Sequence, residues 1–152
     1  MNVIHRFAAE ADLPPIIDML ADDAIAVLRE TPELEKRDVY LRAWEDMQKD
    51  QFNKLLVAEV DHELVGVLQL TYISGLSRAG MKRAQIEGVR VKSDWRGQAI
   101  GRELVRAAIG LAKSHGCGLV QLTTDKRRRR ANEFYEALGF APTHEGMKIV
   151  LG

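Results

Sequence analysis

Two stretches of this sequence combine residue types and spacing that could do chemistry. KSDWRGQAIGRELV, residues 92–105, follows the strand-like AQIEGVRV, residues 84–91, and opens a helix-like run. Its turn, Arg96-Gly97-Gln98-Ala99-Ile100-Gly101, is rich in small residues, so unpaired backbone N–H groups and the positive end of a helix converge on one point. Such a point suits a phosphate-sized anion. It is neither the G-x-G-x-x-G of dinucleotide sites nor a P-loop, which would end in Gly-Lys-Ser/Thr. On these residues alone, a plain strand-to-helix connection is the other reading. Just upstream, Glu87 interrupts an otherwise apolar strand. An unpaired carboxylate is costly there, so Glu87 is a proton-acceptor candidate or the partner of Arg90, Lys92 or Arg96.

The second stretch is DKRRRRANEFYEALGF, residues 125–140. Lys126–Arg130 are contiguous, so they point in all directions and make no stripe along a duplex. Cations at a helix N-terminus oppose its dipole by about 0.3–1 kcal/mol each, a cost that a nearby anion would offset. A solvated loop, contact with an anionic ligand and a nucleic-acid grip are the three readings, in that order of preference. Tyr135 shares a helical face with Ala131, Phe134 and Leu138, where core packing is the ordinary role. Cys117 is the single cysteine and excludes an intrachain disulfide. The four histidines show no metal-ligand spacing, so no metal site is expected, and His144 reads as a surface-loop residue.

Elements that must position these residues are legible around them. The chain has 152 residues, 46% apolar and 29% charged, which fits one globular domain over 1–152. Net charge is zero, yet residues 1–70 carry 15 acidic against 7 basic side chains and residues 71–152 the reverse, so the halves stand at −8 and +8. Either the second half binds an anion or the halves attract each other. Residues 55–73 read as a hairpin about Asp61-His62-Glu63, and 118–125 as a buried strand. Ile100, Leu104, Val105, Ala108, Leu111 and Ala112 mark a helix that Gly116 stops, and Gly139 stops the next one. Asp12 is placed to cap a helix through Leu20, a second helical stretch covers roughly 33–50, and Met147–Leu151 reads as a terminal strand. The order strand, helix, strand, helix from Ala84 implies a crossover between neighbouring parallel strands. No run approaches the ~20 apolar residues of a membrane span, and the N-terminus has no leader pattern, so a cytoplasmic protein is expected.

RGQAIG (Arg96–Gly101) opening a helix after a strand, followed some thirty residues later by ANEFYEALGF (Ala131–Phe140), resembles the acyl-CoA-binding core of the GNAT N-acetyltransferases. The resemblance extends over nearly the whole chain. It implies an α/β (α+β) fold with a mixed, partly parallel central sheet, and acetyl-CoA as cofactor. It also implies that the amides of Arg96, Gly97, Gln98, Ala99, Ile100 and Gly101 hold the pyrophosphate, with Arg102 beside them. Val89, Arg90 and Val91 would meet the pantetheine arm along the strand, and Asn132 from the following helix. Tyr135 matches the tyrosine that assists the departing thiolate. Glu87 is the candidate base, on the same side as Val89 and Val91 unless Gly88 marks a bulge; Gln85 occupies a place where some relatives carry the glutamate. Ala99 departs from the usual glycine and is tolerable where its φ stays negative.

The activity so implied is acetyl transfer to a primary amine, preferably of a small molecule, in a ternary complex. A protein lysine or N-terminal acceptor is the alternative. A nucleic-acid module using Lys126–Arg130 and a non-catalytic acyl-CoA-binding domain are the readings of another class. The acceptor is expected on the acidic side, near residues 21–50 and the loop 74–83. A homodimer is among the assemblies the resemblance allows.

Overall fold

The computed structural model describes residues 1–152, in which five strands form one sheet in the order β1 (Val3–Phe7), β2 (Asn53–Val60), β3 (Glu63–Ile73), β4 (Arg83–Val91), β5 (Leu119–Leu122). The first four are antiparallel neighbours, and β4 and β5 run parallel. This is the mixed, partly parallel sheet expected from the sequence. Asp61 and His62 close the β2–β3 hairpin with φ of 48° and 67°, the doubly left-handed turn that matches strand twist. Helix α1 (Leu13–Ala21) lies on one face, α2 (Asp38–Gln48) beyond it, α3 (Ser77–Gly80) is a single distorted turn before β4, α4 (Ile100–Ser114) covers the opposite face and α5 (Ala131–Glu136) follows β5.

Burial follows the periodicities. Ile100, Leu104, Val105, Ala108 and Ala112 of α4 are buried against Leu68, Leu70, Tyr72 and Ile86 of the sheet. Ile16 and Met19 of α1 close the other face over Val57, Leu64 and Val67. The helix expected over 33–50 is a single 3-10 turn followed by α2. Asp12 does not cap α1: its carboxylate accepts from both terminal nitrogens of Arg6 at 2.8 and 2.9 Å and from the Ala9 amide at 2.7 Å, which ties β1 to the turn ahead of the helix.

Three features of this frame position the site. First, β4 and β5 pair only over Arg83–Ile86 and Leu119–Leu122, whereas β4 continues to Val91, so the sheet opens into a cleft beyond Ile86. β5 is accordingly shorter than the expected 118–125. Second, the β3–β4 register slips: Gln69 faces Glu87 but Val67 faces Arg90, leaving Gly88 and Val89 opposite Leu68. Gly88 has a φ of 60° and forms the bulge. The bulge reverses the alternation, so Glu87 lies on the α1 side with Gln85 and Arg90, and Val89 and Val91 lie on the α4 side. The shared side for Glu87, Val89 and Val91 is thereby corrected. Third, Ala99 has a φ of 64° at the start of α4. The methyl group sits in a left-handed conformation that costs a non-glycine residue about 1–2 kcal/mol.

Three ion pairs join the acidic half to the basic one. Arg128 donates to both oxygens of Asp23, Nη1 to Oδ2 at 2.5 Å and Nη2 to Oδ1 at 3.1 Å, across 105 positions. Lys92 pairs with Glu63, and Arg96 with Asp22. The mutual attraction of the halves is thus realised. Arg128 first, aided by the Ala26 and Ile25 amides, holds the Asp23 carboxyl well below the usual carboxylate range.

The terminal strand expected at Met147–Leu151 does not form. Residues 141–152 contain no strand or helix and are exposed throughout. A β-rich run becomes a strand only where an edge accepts it, and within the chain this run meets none.

Two outcomes follow from this frame. Ala99→Gly removes the left-handed strain at the expense of a looser unfolded chain and is expected to stabilise by about 0.5–1 kcal/mol in denaturant melts. Asp23→Asn is expected to cost about 1–2 kcal/mol at neutral pH. Because the folded Asp23 pKa is depressed, its contribution is present above the unfolded value of ~3.9 and lost as pH falls towards the folded one. Melts of the two proteins should therefore converge below about pH 4 and differ above it.

Candidate active site

At the mouth of the opened sheet, the turn before α4 offers its backbone. The first helical bond runs from the Glu103 amide to the Ala99 carbonyl at 3.0 Å, and the amides of Ile100, Gly101 and Arg102 have no carbonyl partner. No side chain caps this end. Three free donors on a fifteen-residue helix, with Arg96 and Arg102 on either side, make a fitting seat for a diphosphate. Gly101 is closely surrounded: a Cβ there would stand 3.3 Å from Val91 Cγ2, which would have to give by a few tenths of an ångström, and 3.6 Å from Phe134 Cζ. Arg96 is held by hydrogen bonds to the carbonyls of Val91, 3.2 Å, and Asp22, 3.0 Å.

A cleft of about 300 Å³ continues from this turn between β4 and α5. Val89, Val91, Arg96, Gly97, Ala99, Ile100, Gly101 and Arg102 line it. Gln98 is exposed beside it, Arg90 turns to the α1 side, and Asn132 is exposed on the first turn of α5. Trp95 and Phe134 also line it and were not singled out from the sequence. Phe134 had a visible signal, its place one residue before Tyr135 in the motif; Trp95 had only its adjacency to the turn.

The other side of the opened sheet is polar. Arg83 donates to Gln121 at 3.4 Å, Gln121 donates to Gln85 at 2.9 Å, and Gln85 donates to Oε1 of Glu87. Next to this row, Asn53 accepts from Gln69 at 2.9 Å and from Thr71 at 3.3 Å. Glu87 and Gln85 are thus neighbours on one face, and Gln85 orients the carboxylate while leaving its second oxygen free of it. Glu87 has no salt bridge with Arg90, Lys92 or Arg96; Lys92 and Arg96 are taken by Glu63 and Asp22.

Tyr135, on α5, is half-buried against the main core. Its ring meets Phe134 and Phe140 edge-on, with centroids 5.0 and 5.7 Å apart. Burial pushes its hydroxyl pKa up, against smaller lowering effects of Arg128 and Arg90. The phenol is therefore protonated at neutral pH and available as a donor. Burial likewise lowers the pKa of Arg90, whose Nε has no partner. The Asp23–Arg128 pair spans from the segment after α1 to the loop after β5, close to this phenol. Sequence reading had no signal for that pair, since nothing local links positions so far apart.

The basic run has become three different things. Arg127 is bound by Asp125 two residues away at 2.7 Å, Arg128 by Asp23, and Lys126, Arg129 and Arg130 make no salt bridge. His144 is exposed next to Thr143, and Cys117 is half-buried in the core edge. No group of three or more His, Cys, Asp or Glu side chains could hold a metal ion.

Known proteins share this arrangement. The model of the acetyltransferase (GNAT) family matches residues 17–140. A crystal structure of a protein called a transcriptional regulator, from Bacillus halodurans C-125, is 47% identical, covers 99% of this chain and 100% of its own, and superposes with a TM-score of 0.96. An acetyltransferase structure from Trypanosoma brucei is 26% identical with a TM-score of 0.80 over 99% of this chain and 100% of that one. An uncharacterized N-acetyltransferase of Methanocaldococcus jannaschii is 33% identical over 96 residues, which is 62% of this chain and 41% of that protein; the chain therefore matches less than half the length of this relative. With the family match spanning most of the chain and the sheet opening beside the turn ahead of α4, this protein belongs to the GNAT acetyltransferase family.

Proposed function

We propose that this protein is an acetyl-CoA-dependent N-acetyltransferase that acetylates a primary amine of a small molecule, with donor and acceptor bound together. One observation carries the reading: the sheet opens between β4 and β5 beside the free amides that start α4, with Glu87 on the strand that borders the opening. When bound, acetyl-CoA supplies the acyl group as a thioester.

The remaining chemistry is assigned to the chain's own residues. The amides of residues 97–102, with Arg96 and Arg102, hold the diphosphate. The main chain of Val89 and Val91 is directed along the pantetheine arm, with Asn132 near its far side, and Trp95 and Phe134 exclude water from the cleft. An alkylamine with a pKa of ~10.4 arrives protonated and must lose that proton before it attacks. Glu87, oriented by Gln85, takes it directly or through a water. Strand amides of β4 polarise the carbonyl. Tyr135, kept protonated by burial, donates to the leaving sulfur.

The polar row of Gln69, Gln85 and Gln121 supports a small hydrogen-bonding acceptor on the α1 side, bounded by the acidic segment 21–50. A protein lysine or N-terminal amine remains the alternative acceptor. No helix is long and apolar enough to cross a membrane, and the lone Cys117 forms no intrachain disulfide; we assign the protein to the cytoplasm on that support. The name of the Bacillus relative raises nucleic-acid binding as a second reading, but Arg127 and Arg128 are already committed to carboxylates.

The deciding experiment is to add acetyl-CoA with a panel of amines and follow free thiol. Acetyl-CoA alone should raise the melting temperature, and thiol release should depend on the amine. No thermal shift overturns the reading; a shift without turnover across the panel leaves a non-catalytic acyl-CoA-binding domain; salt-sensitive retardation of DNA without any shift favours the nucleic-acid module. Tyr135→Phe is expected to lower kcat by about 10²-fold while acetyl-CoA affinity is retained. Glu87→Gln should lower kcat and alter its pH dependence. A Glu87→Gln enzyme with unchanged rate and pH profile removes Glu87 as base and moves attention to the Gln85 position.

A further inference from the structure

Past the bulge of β4, the side chain of Arg90 points away from the cleft that Val89 and Val91 line. Arg90 pairs with Val67 and Glu87 with Gln69, and directly paired residues of antiparallel strands share a face. Val67 is buried under α1 with Ile16 and Met19, so Arg90 and Glu87 both project to the α1 face. Their partners are two positions apart on β3, which sets the two backbone origins about 7 Å from each other.

The Arg90 guanidinium has given up water without gaining a counter-charge. Nη1 donates to the carbonyl of Val89 at 2.9 Å, Nε is buried without a partner, and Arg90 makes no salt bridge. Nη2 has no protein acceptor and remains accessible. Burial lowers the pKa of the group, and Arg128 adds to that. The surrounding charges do not compensate. Asp23 is committed to Arg128 by two hydrogen bonds, and Glu30 accepts from the Tyr40 hydroxyl at 3.5 Å. Arg29 adds a further, exposed cation. Three guanidinium groups thus stand among two carboxylates, an excess of one positive charge on the face that also presents Glu87. Arg128 and Arg90 both act on the Tyr135 hydroxyl, so the excess lies near the group assigned to the leaving sulfur.

We propose, on the acetyl-transfer reading above, that the acceptor is an amino acid whose amine meets Glu87 while its carboxylate is bound by Arg90. One uncompensated positive charge matches a monoanion; a phosphate dianion would leave a charge unmet. The separation of Glu87 and Arg90 suits an amine and a carboxylate a few bonds apart. Gln69, Gln85 and Gln121 on the same face offer hydrogen bonds to the polar remainder. The acetyl carbon exchanges its bond to sulfur for one to the amine nitrogen, the amine's proton passes to Glu87, and the carboxylate is unchanged. A plain alkylamine leaves Arg90 without its counter-charge and is rejected for that reason.

The test compares acceptors that differ only at the anionic group: the common L-amino acids, β-alanine and γ-aminobutyrate, each beside its carboxamide and its decarboxylated amine, with phosphoethanolamine as the phosphate case. Thiol release should give the best amino acid a kcat/KM about 10²-fold above that of its carboxamide. Arg90→Met, which keeps an apolar stem under α1, should bring that ratio close to one, through KM of the carboxylate. Should that variant not fold, Arg90→Lys, which keeps the charge without the fork, should retain the preference in weakened form. Calorimetric titration of the same amino acids reads Arg90-dependent binding without turnover. Carboxamides or plain amines used as well as the amino acids overturn the proposal. So does a preference for phosphoethanolamine over every amino acid, or a carboxylate preference that Arg90→Met leaves unchanged. Arg90-dependent binding of amino acids without thiol release from any amine overturns acetyl transfer and supports the carboxylate site; the absence of both overturns both.

Discussion

The parallel pairing of β4 with β5 stops after four residue pairs while β4 itself runs five residues further. Beyond that point the backbone of Glu87–Val91 loses a neighbour on one side, and main-chain groups that a closed sheet would satisfy are free for a ligand. The site depends on this separation. α4 holds β4 in place from below, with Leu104 and Val105 fully buried, so the gap cannot close by β4 drifting towards β5. α5 and the loop ahead of it then wall the gap from the β5 side and bring Phe134 and Tyr135 to it.

Local conformations unfavourable in themselves gather at the same place. Ala99 adopts a left-handed φ without a glycine, Gly88 breaks the register of β4, and the Arg90 Nε is buried without a partner. Left-handed non-glycine residues also occur at the Asp61-His62 hairpin turn and at Arg78 and Ala79 of α3, and His5 Nε2 is buried without a partner. At Ala99 and Gly88 the well-packed frame over-determines what the local sequence would not choose. The bulge has the clearest consequence. It turns Glu87 away from the side of Val89 and Val91 and onto the polar row of Gln85 and Gln121.

Charge is arranged on the same principle. Between the −8 and +8 halves, Arg128, Arg96 and Lys92 reach back to Asp23, Asp22 and Glu63 and fasten the late elements to the early ones. Of these only Asp23–Arg128 is well shielded, with side chains 17% and 26% exposed, and it closes the loop after β5 over the region beside Tyr135. The exposed pairs contribute little by themselves. The run of arginines that dominates the sequence to the eye thus works mainly through a single member.

Much of the fold and of the cofactor side was legible because it is local. The periodicity of α4, the stops at Gly116 and Gly139, the hairpin and the order of strand, turn and helix around RGQAIG each depend on residues within a few positions of one another, where backbone preference and side-chain spacing act directly. The spacing of RGQAIG and ANEFYEALGF carried the family for the same reason. Tertiary structure alone decided which way Glu87 faces, since a one-residue slip against β3 reverses every side chain after it. It decided that Asp12 answers to Arg6 and Asp23 to Arg128, partners chosen by proximity after folding. It also decided that Met147–Leu151, strand-like in composition, remains without a strand, because pairing belongs to an edge and the run meets none within its own chain.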